Sequence, residues 1–207
     1  MGLSRSLIAM LSVAPVMLSA GWAQAQGMTE SEIIAAQKTR TSEAMCPEEG
    51  RGAHQRRCFG RRLISNEAGQ ILPNAGPISG SLGAPDFISA YNIPSTSKSN
   101  GAIVAIVDAY GYPNAYKDMS TYRTQYNIPT LPKCSGMPKA GTAPCFAQVG
   151  STGGAPPSQT DSGWEGETAL DIEMVSALCP DCNILLVEGA DPNNDSLVAA
   201  LTEAATL

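Results

Sequence analysis

The segment Ala102-Ile-Val-Ala-Ile-Val107 is an unbroken apolar run, mostly β-branched. It shows no alternation of apolar and polar residues, so a strand built from it must be covered on both faces. That is the signature of a central strand in a parallel sheet. The run ends at Asp108 and is followed by a Gly/Pro/Asn turn from Gly111 to Asn114. A helical stretch is predicted from Ala115 to about Tyr126, ahead of Ile128-Pro129. Asn183-Ile-Leu-Leu-Val187 reads as a second buried strand. Between the two strands, Ser162-Gly-Trp-Glu165 fits a capping box, with Ser162 as N-cap, and opens a helix that runs to about Leu178 and stops at Pro180. These β-turn-α units predict an α/β fold, whose sites are built at the carboxyl ends of the parallel strands. A short helix capped near Asp86 is expected over residues 83–93. Residues 132–159 read as loop. A last helix starts near Ser196 and is still running at Leu207 without a C-cap, the pattern expected of an incomplete domain.

The first residues predict export. Arg5 supplies a positive start, Leu7 to Leu18 an apolar stretch, and Ala23-Gln24-Ala25 a small-x-small cleavage site. The stretch is shorter than the roughly 20 residues of a membrane-spanning helix. The reading is therefore a signal peptide over residues 1–25 and a secreted or periplasmic protein, free of the membrane after cleavage. Residues 26–82 are polar and irregular, with one short helix expected over residues 30–40. The basic cluster between Arg51 and Arg62 fits a solvated segment. A net charge of −6 argues against general nucleic-acid or membrane-surface binding.

Export changes the meaning of the six cysteines, Cys46, Cys58, Cys134, Cys145, Cys179 and Cys182. An even count in an exported chain predicts disulfides, and local pairing is the simplest of the possible connectivities. Cys179-Pro-Asp-Cys182 would also suit a redox motif or half a zinc site. Zinc is disfavoured by the single histidine, His54, and by the lack of a second CxxC. A redox pair would open a helix, whereas this one follows a helix and precedes a strand. A structural staple is the reading that remains, and no metal site is expected.

Glu167 and Asp171 lie four residues apart on the helix from Ser162 to Leu178, stacked one turn apart on one face. On an ordinary helix such a pair belongs to a solvated acidic face. Here Trp164, Ala169, Leu170, Ile172, Met174, Val175, Ala177 and Leu178 cover much of the circumference, so the helix is expected to be largely buried. Two carboxyls at the edge of a core cannot both ionise freely, and a pair sharing one proton can act as a general acid or base. Glu165 and Glu173 point elsewhere and are expected in solvent.

The segment from Trp164 to Glu188 resembles the catalytic-helix region of sedolisins, subtilisin-fold peptidases that use Ser-Glu-Asp in place of Ser-His-Asp. Glu167, Leu170 and Asp171 fill an E-x-x-L-D motif, and Ala177, Pro180 and Ile184 fill the A-x-x-P and strand positions after it. Residues 102–114, with Asp118, Tyr122 and Ile128-Pro129, are similar to the family's first core strand and helix. The resemblance covers residues 83–207. It implies a subtilisin-like parallel sheet flanked by helices, of which this would be the N-terminal portion. It implies an acid-active serine-carboxyl endopeptidase hydrolysing polypeptide substrates, with Glu167 as general base, Asp171 as its partner, and Asp108 joining the acidic network. The family's serine, in a G-T-S type motif, and its calcium site belong to the C-terminal part of the domain, downstream of Leu207. No cofactor is expected in this chain, and the isolated chain is expected to have no peptidase activity. The competing expectations are a non-enzymatic exported α/β binding module or truncated remnant, and a thiol oxidoreductase through Cys179 and Cys182, which requires free thiols. A Ser-His-Asp triad would need His54, which has no nucleophile elbow near it.

Terminal sequencing of the exported protein is expected to begin near Gln26. Recovery of the mature protein with residues 1–25 still attached would contradict a cleaved signal.

Overall fold

The computed structural model describes residues 41–46, 52–64, 82–94 and 98–207. The signal peptide and the helix expected over residues 30–40 lie outside the described residues. Along the chain come β1 (Thr41–Ala44), β2 (Arg61–Ile64), α1 (Ala84–Ala90), β3 (Ile103–Ala109), α2 (Ala115–Gln125), β4 (Phe146–Gly150), α3 (Ser162–Leu178), β5 (Asn183–Gly189) and α4 (Asn194–Thr206).

The two apolar runs do form parallel neighbours. β5 is the middle strand of a three-stranded parallel sheet in the order β3-β5-β4. Every residue of β5 is buried. β3 pairs with it in a register that sets Ile103 against Asn183 and Asp108 against Glu188. β4 pairs with its other side, Phe146 against Ile184 and Gly150 against Glu188.

The loop expected over residues 132–159 therefore contains a strand. Phe-Ala-Gln-Val-Gly is short and has a polar residue at its centre, so its sequence lacks the signal of β3. Its position is fixed from outside: the Cys134–Cys145 disulfide closes the preceding loop. The Cys134 amide donates to the Phe146 carbonyl at 2.9 Å.

The sheet has two covered faces. On one, Ile106, Ile184 and Leu186 pack with Phe146, Met119 of α2 and Ile172 of α3. On the other, Val149, Leu185 and Val187 pack with Ala200 of α4. This is the layered α/β arrangement, a parallel sheet with four helices around it.

Helix starts differ in detail from expectation. The N-cap of α3 is Asp161, whose carboxylate accepts from the Gly163 and Trp164 amides at 3.0 Å each; Ser162 is the first helical residue. Asp86 does not cap α1 from outside. It lies in the first turn and accepts from the Gly83 amide at 2.8 Å. α4 begins at Asn194, ahead of Ser196.

All three disulfides join local pairs, Cys46–Cys58, Cys134–Cys145 and Cys179–Cys182. The last closes the α3–β5 turn, so the CxxC is a staple and not a pair of free thiols. Residues 26–82, read as irregular, contain an antiparallel ribbon of β1 and β2 that sets Thr41 against Ile64.

Leu186 has no solvent exposure and lies at the centre of the sheet. Leu186→Ala is expected to cost about 2–5 kcal/mol, seen as a lower midpoint of chemical denaturation with an unchanged slope. A loss below about 1 kcal/mol would mean that this core does not carry the fold.

Candidate active site

Strand alternation decides which acids can meet. Ile106 and Leu186 face α3, so two residues on, Asp108 and Glu188 face it as well. The carboxyl end of the strand pair therefore presents two carboxyls to the same helix. Asp108 is 3% exposed and Glu188 has no exposure.

Each buried acid solves its desolvation differently. Glu188 accepts from the Tyr112 amide at 2.7 Å, and the Gln148 side-chain amide donates to both of its oxygens at 3.0–3.1 Å. Its carboxyl is nonetheless pushed up to about 7 by burial, against the pull of those hydrogen bonds. Asp108 has fewer partners. Burial, and then the Asp171 carboxylate, push it up to about 7; Thr168 beside it opposes, while Glu167 and Glu188 add to the rise. One carboxyl oxygen of Asp108, Oδ2, is buried with no hydrogen-bond partner.

The predicted pair lies beside this buried acid. Asp171 is half-buried and raised, first by burial and then by the Glu167 charge. Glu167 is also half-buried and accepts from the Phe59 amide at 3.2 Å and from the Gly60 amide. The structure thus brings Asp108, Glu167 and Asp171 together at the carboxyl end of β3. Next to them the chain leaves β3 sharply: Tyr110 takes a left-handed conformation with φ 65°, and its amide donates to the Gly189 carbonyl at 2.7 Å.

Two expectations about the helix need correction. Glu173 is not in open solvent. Burial, and then Asp118, push its carboxyl up to about 7. Glu165 is raised too, by burial and then by Asp161 and Asp118. The cause is the packing of α2 against α3, which places Asp118, hydrogen-bonded by the Tyr112 hydroxyl, opposite the second acidic face of α3. Leu170, counted among the apolar positions, is exposed at 40%.

Glu188 was missed altogether, although its signal was present. It ends an apolar strand as Asp108 does, and a parallel register between the two runs would have paired them. Gln148 and Tyr112 could not be found, because both reach Glu188 through the unrecognised strand β4 and the turn after β3. His54 is exposed and lines a polar hollow of about 500 Å³ with Asp191 and the first residues of α4. Among the described residues, no group of three or more His, Cys, Asp or Glu is arranged to hold a metal ion.

No family model, curated protein or solved structure matches this chain.

Chemically, burial and neighbouring carboxylates make Asp108 and Asp171 bind protons more readily than surface carboxyls do. Several carboxyls converge where water is scarce, and they cannot all be ionised at modest cost. Such a group can take up or release a proton between acid and neutral pH.

The same acids set the pH dependence of stability. Asp108, Glu173 and Glu188 bind their protons more tightly folded than unfolded, each raised to about 7. Their contribution is fully present below the ordinary carboxyl range and is lost as pH rises through about 7. Calorimetry is expected to give a higher Tm at pH 5 than at pH 8, with the difference reduced in Glu188→Gln. A Tm that rises steadily from pH 5 to pH 8 would contradict this arrangement.

Proposed function

We propose that this chain carries the acid half of a serine-carboxyl peptidase site of the sedolisin type. The observation that supports it best is the convergence of Glu167 and Asp171 on the buried Asp108 at the carboxyl end of a parallel strand. The E-x-x-L-D resemblance expects its acids at that place.

In this reading Glu167 accepts the proton of a serine hydroxyl as the serine oxygen attacks the peptide carbonyl. Glu167 then delivers that proton to the departing amine, leaving an acyl-enzyme. Water repeats the sequence, giving its proton to Glu167 and releasing the acid product. Asp171 orients Glu167 and helps hold the transferred proton, and Asp108 supports Asp171 from the strand. The serine, and the calcium site of the family, come from polypeptide downstream of Leu207. Carboxyl chemistry of this kind implies an acidic optimum. Polypeptides are the substrates, and export places the reaction outside the cytoplasm, consistent with three disulfides.

A second reading gains from one observation. Both Glu167 oxygens already accept backbone amides, as a carboxylate used only as a structural anchor would. A non-enzymatic exported binding module would use it in that way.

The test is hydrolysis. The gene read through 3′ of the Leu207 codon should encode a G-T-S segment, and its product should cleave an unfolded protein at about pH 4. Glu167→Gln is expected to lower kcat by about 10²-fold or more, with Asp171→Asn lowering it less. The 207-residue chain alone is expected to show no cleavage. Full activity in Glu167→Gln would remove the proposal and leave the binding module.

A further inference from the structure

Residues 52–60 form a strap across the carboxyl end of the sheet, and part of it is held as one strand holds another. Gln55 and Asn193 form an isolated antiparallel bridge. The Arg56 amide donates to the Pro192 carbonyl at 2.7 Å, and the Asn194 amide donates to the His54 carbonyl at 3.0 Å. The ledge that receives the strap, Pro192–Asn194, lies between the end of β5 and the first residue of α4. These contacts use main-chain atoms, while His54, Gln55 and Arg56 are exposed. Main-chain pairing does not read sequence, and it is one way in which an extended polypeptide is recognised.

Further along, the strap settles on the first turns of α3. Its Cys46–Cys58 disulfide packs with Trp164 and Ala109. A Cβ on Gly163 or Gly166 would collide with Met45, so the absence of side chains there lets another stretch of chain lie close to the helix. The Phe59 and Gly60 amides then donate to Glu167. A polypeptide laid along the ledge thus runs on to the carboxyl read above as the base.

No disulfide ties the strap to the rest of the chain. Cys46–Cys58 closes within residues 41–64, Cys134–Cys145 and Cys179–Cys182 close within residues 84–207, and all six cysteines are used. A single cut between Ile64 and Ala84 therefore leaves the strap and the β1–β2 ribbon as one disulfide-closed unit that can depart whole.

We propose that Pro192–Asn194 and the start of α3 form a docking surface for an extended polypeptide, and that residues 52–60 are its resident occupant, a plug that leaves before another polypeptide reaches Glu167. The surface is inferred from the seat of the strap, whereas its use in hydrolysis rests on the peptidase reading. A tethered occupant acts at an effective concentration of about millimolar, so a free polypeptide below that level does not displace it.

The full chain, with a site-specific protease sequence placed between Ile64 and Leu82, tests this by fluorescence anisotropy with labelled casein, an unfolded protein. The intact chain is expected to bind casein weakly. Once cut and freed of its leader, it is expected to bind about tenfold or more tightly. Asn194→Pro removes the amide of the ledge. Proline is tolerated at the first position of a helix, where the amide has no partner within the helix, and Asn193 already has the extended backbone (φ −70°, ψ 148°) that suits a residue before proline. This variant is expected to reverse most of the gain, and in the uncut chain to speed hydrogen exchange at the Arg56 amide. The docking surface is overturned if the leader-free chain, still folded by circular dichroism, binds casein no better than the intact chain. Where the leader-free chain unfolds, the uncut Asn194→Pro variant decides: unchanged exchange at Arg56 with unchanged casein binding overturns it equally. A read-through product that cleaves casein as fast with its leader attached removes the plug. Casein binding without cleavage counts against the peptidase reading and leaves the docking surface standing.

Discussion

Strand β5 has no side that water reaches. Its faces are covered by α3 and α4, its edges by β3 and β4, and each residue from Asn183 to Gly189 is buried. A strand placed this way must satisfy every backbone group through its neighbours, which fixes their registers. It also carries Glu188 into the interior at the level of Asp108. The unusual electrostatics at the end of the sheet thus follow from where the middle strand lies. Without that enclosure, the acids at the strand ends would titrate as ordinary surface carboxyls.

Hydrogen bonds from neutral groups reach each of these acids. Gln148 and the Tyr112 amide serve Glu188, Thr168 stands beside Asp108, and the Phe59 and Gly60 amides serve Glu167. The buried cation Arg123 lies by the turn that leads into β5, at the other end of the sheet. Its guanidinium donates to the Pro129 and Pro180 carbonyls at 2.7 Å each, fastening the end of α2 to the disulfide-closed turn after α3.

The parts of this fold readable in the sequence are those whose burial is written in consecutive residues. Ala102–Val107 and Asn183–Val187 gave strands because two-sided burial needs unbroken apolar runs, and α3 followed from its apolar circumference and Pro180. β4 was not readable, because its five residues become a strand only through the edge of β5 and a disulfide upstream. The same division holds at the site. Glu167 and Asp171 share a helix face at fixed spacing, so their proximity is local. The contact of Glu167 with Phe59 and Gly60 spans more than a hundred residues of chain and depends on a β-ribbon in a segment that reads as irregular. Glu173 was misplaced for a related reason: its surroundings are set by α2 and not by its own helix.

Tyr110 gives the end of β3 a further meaning. A left-handed backbone at an aromatic residue costs on the order of 1–2 kcal/mol and persists only where the surroundings impose it. Here it halts the pleat just past Asp108 and turns the ring toward the cluster formed by Trp164 and the Cys46–Cys58 bridge. Because side chains alternate along a strand, one residue inserted or deleted before this corner would rotate the aspartate to the opposite side of the sheet, among the greasy contacts of Leu185 and Val187. The length of β3 is therefore under geometric control from its last turn, and point substitutions are easier for this strand to accommodate than any change in residue count.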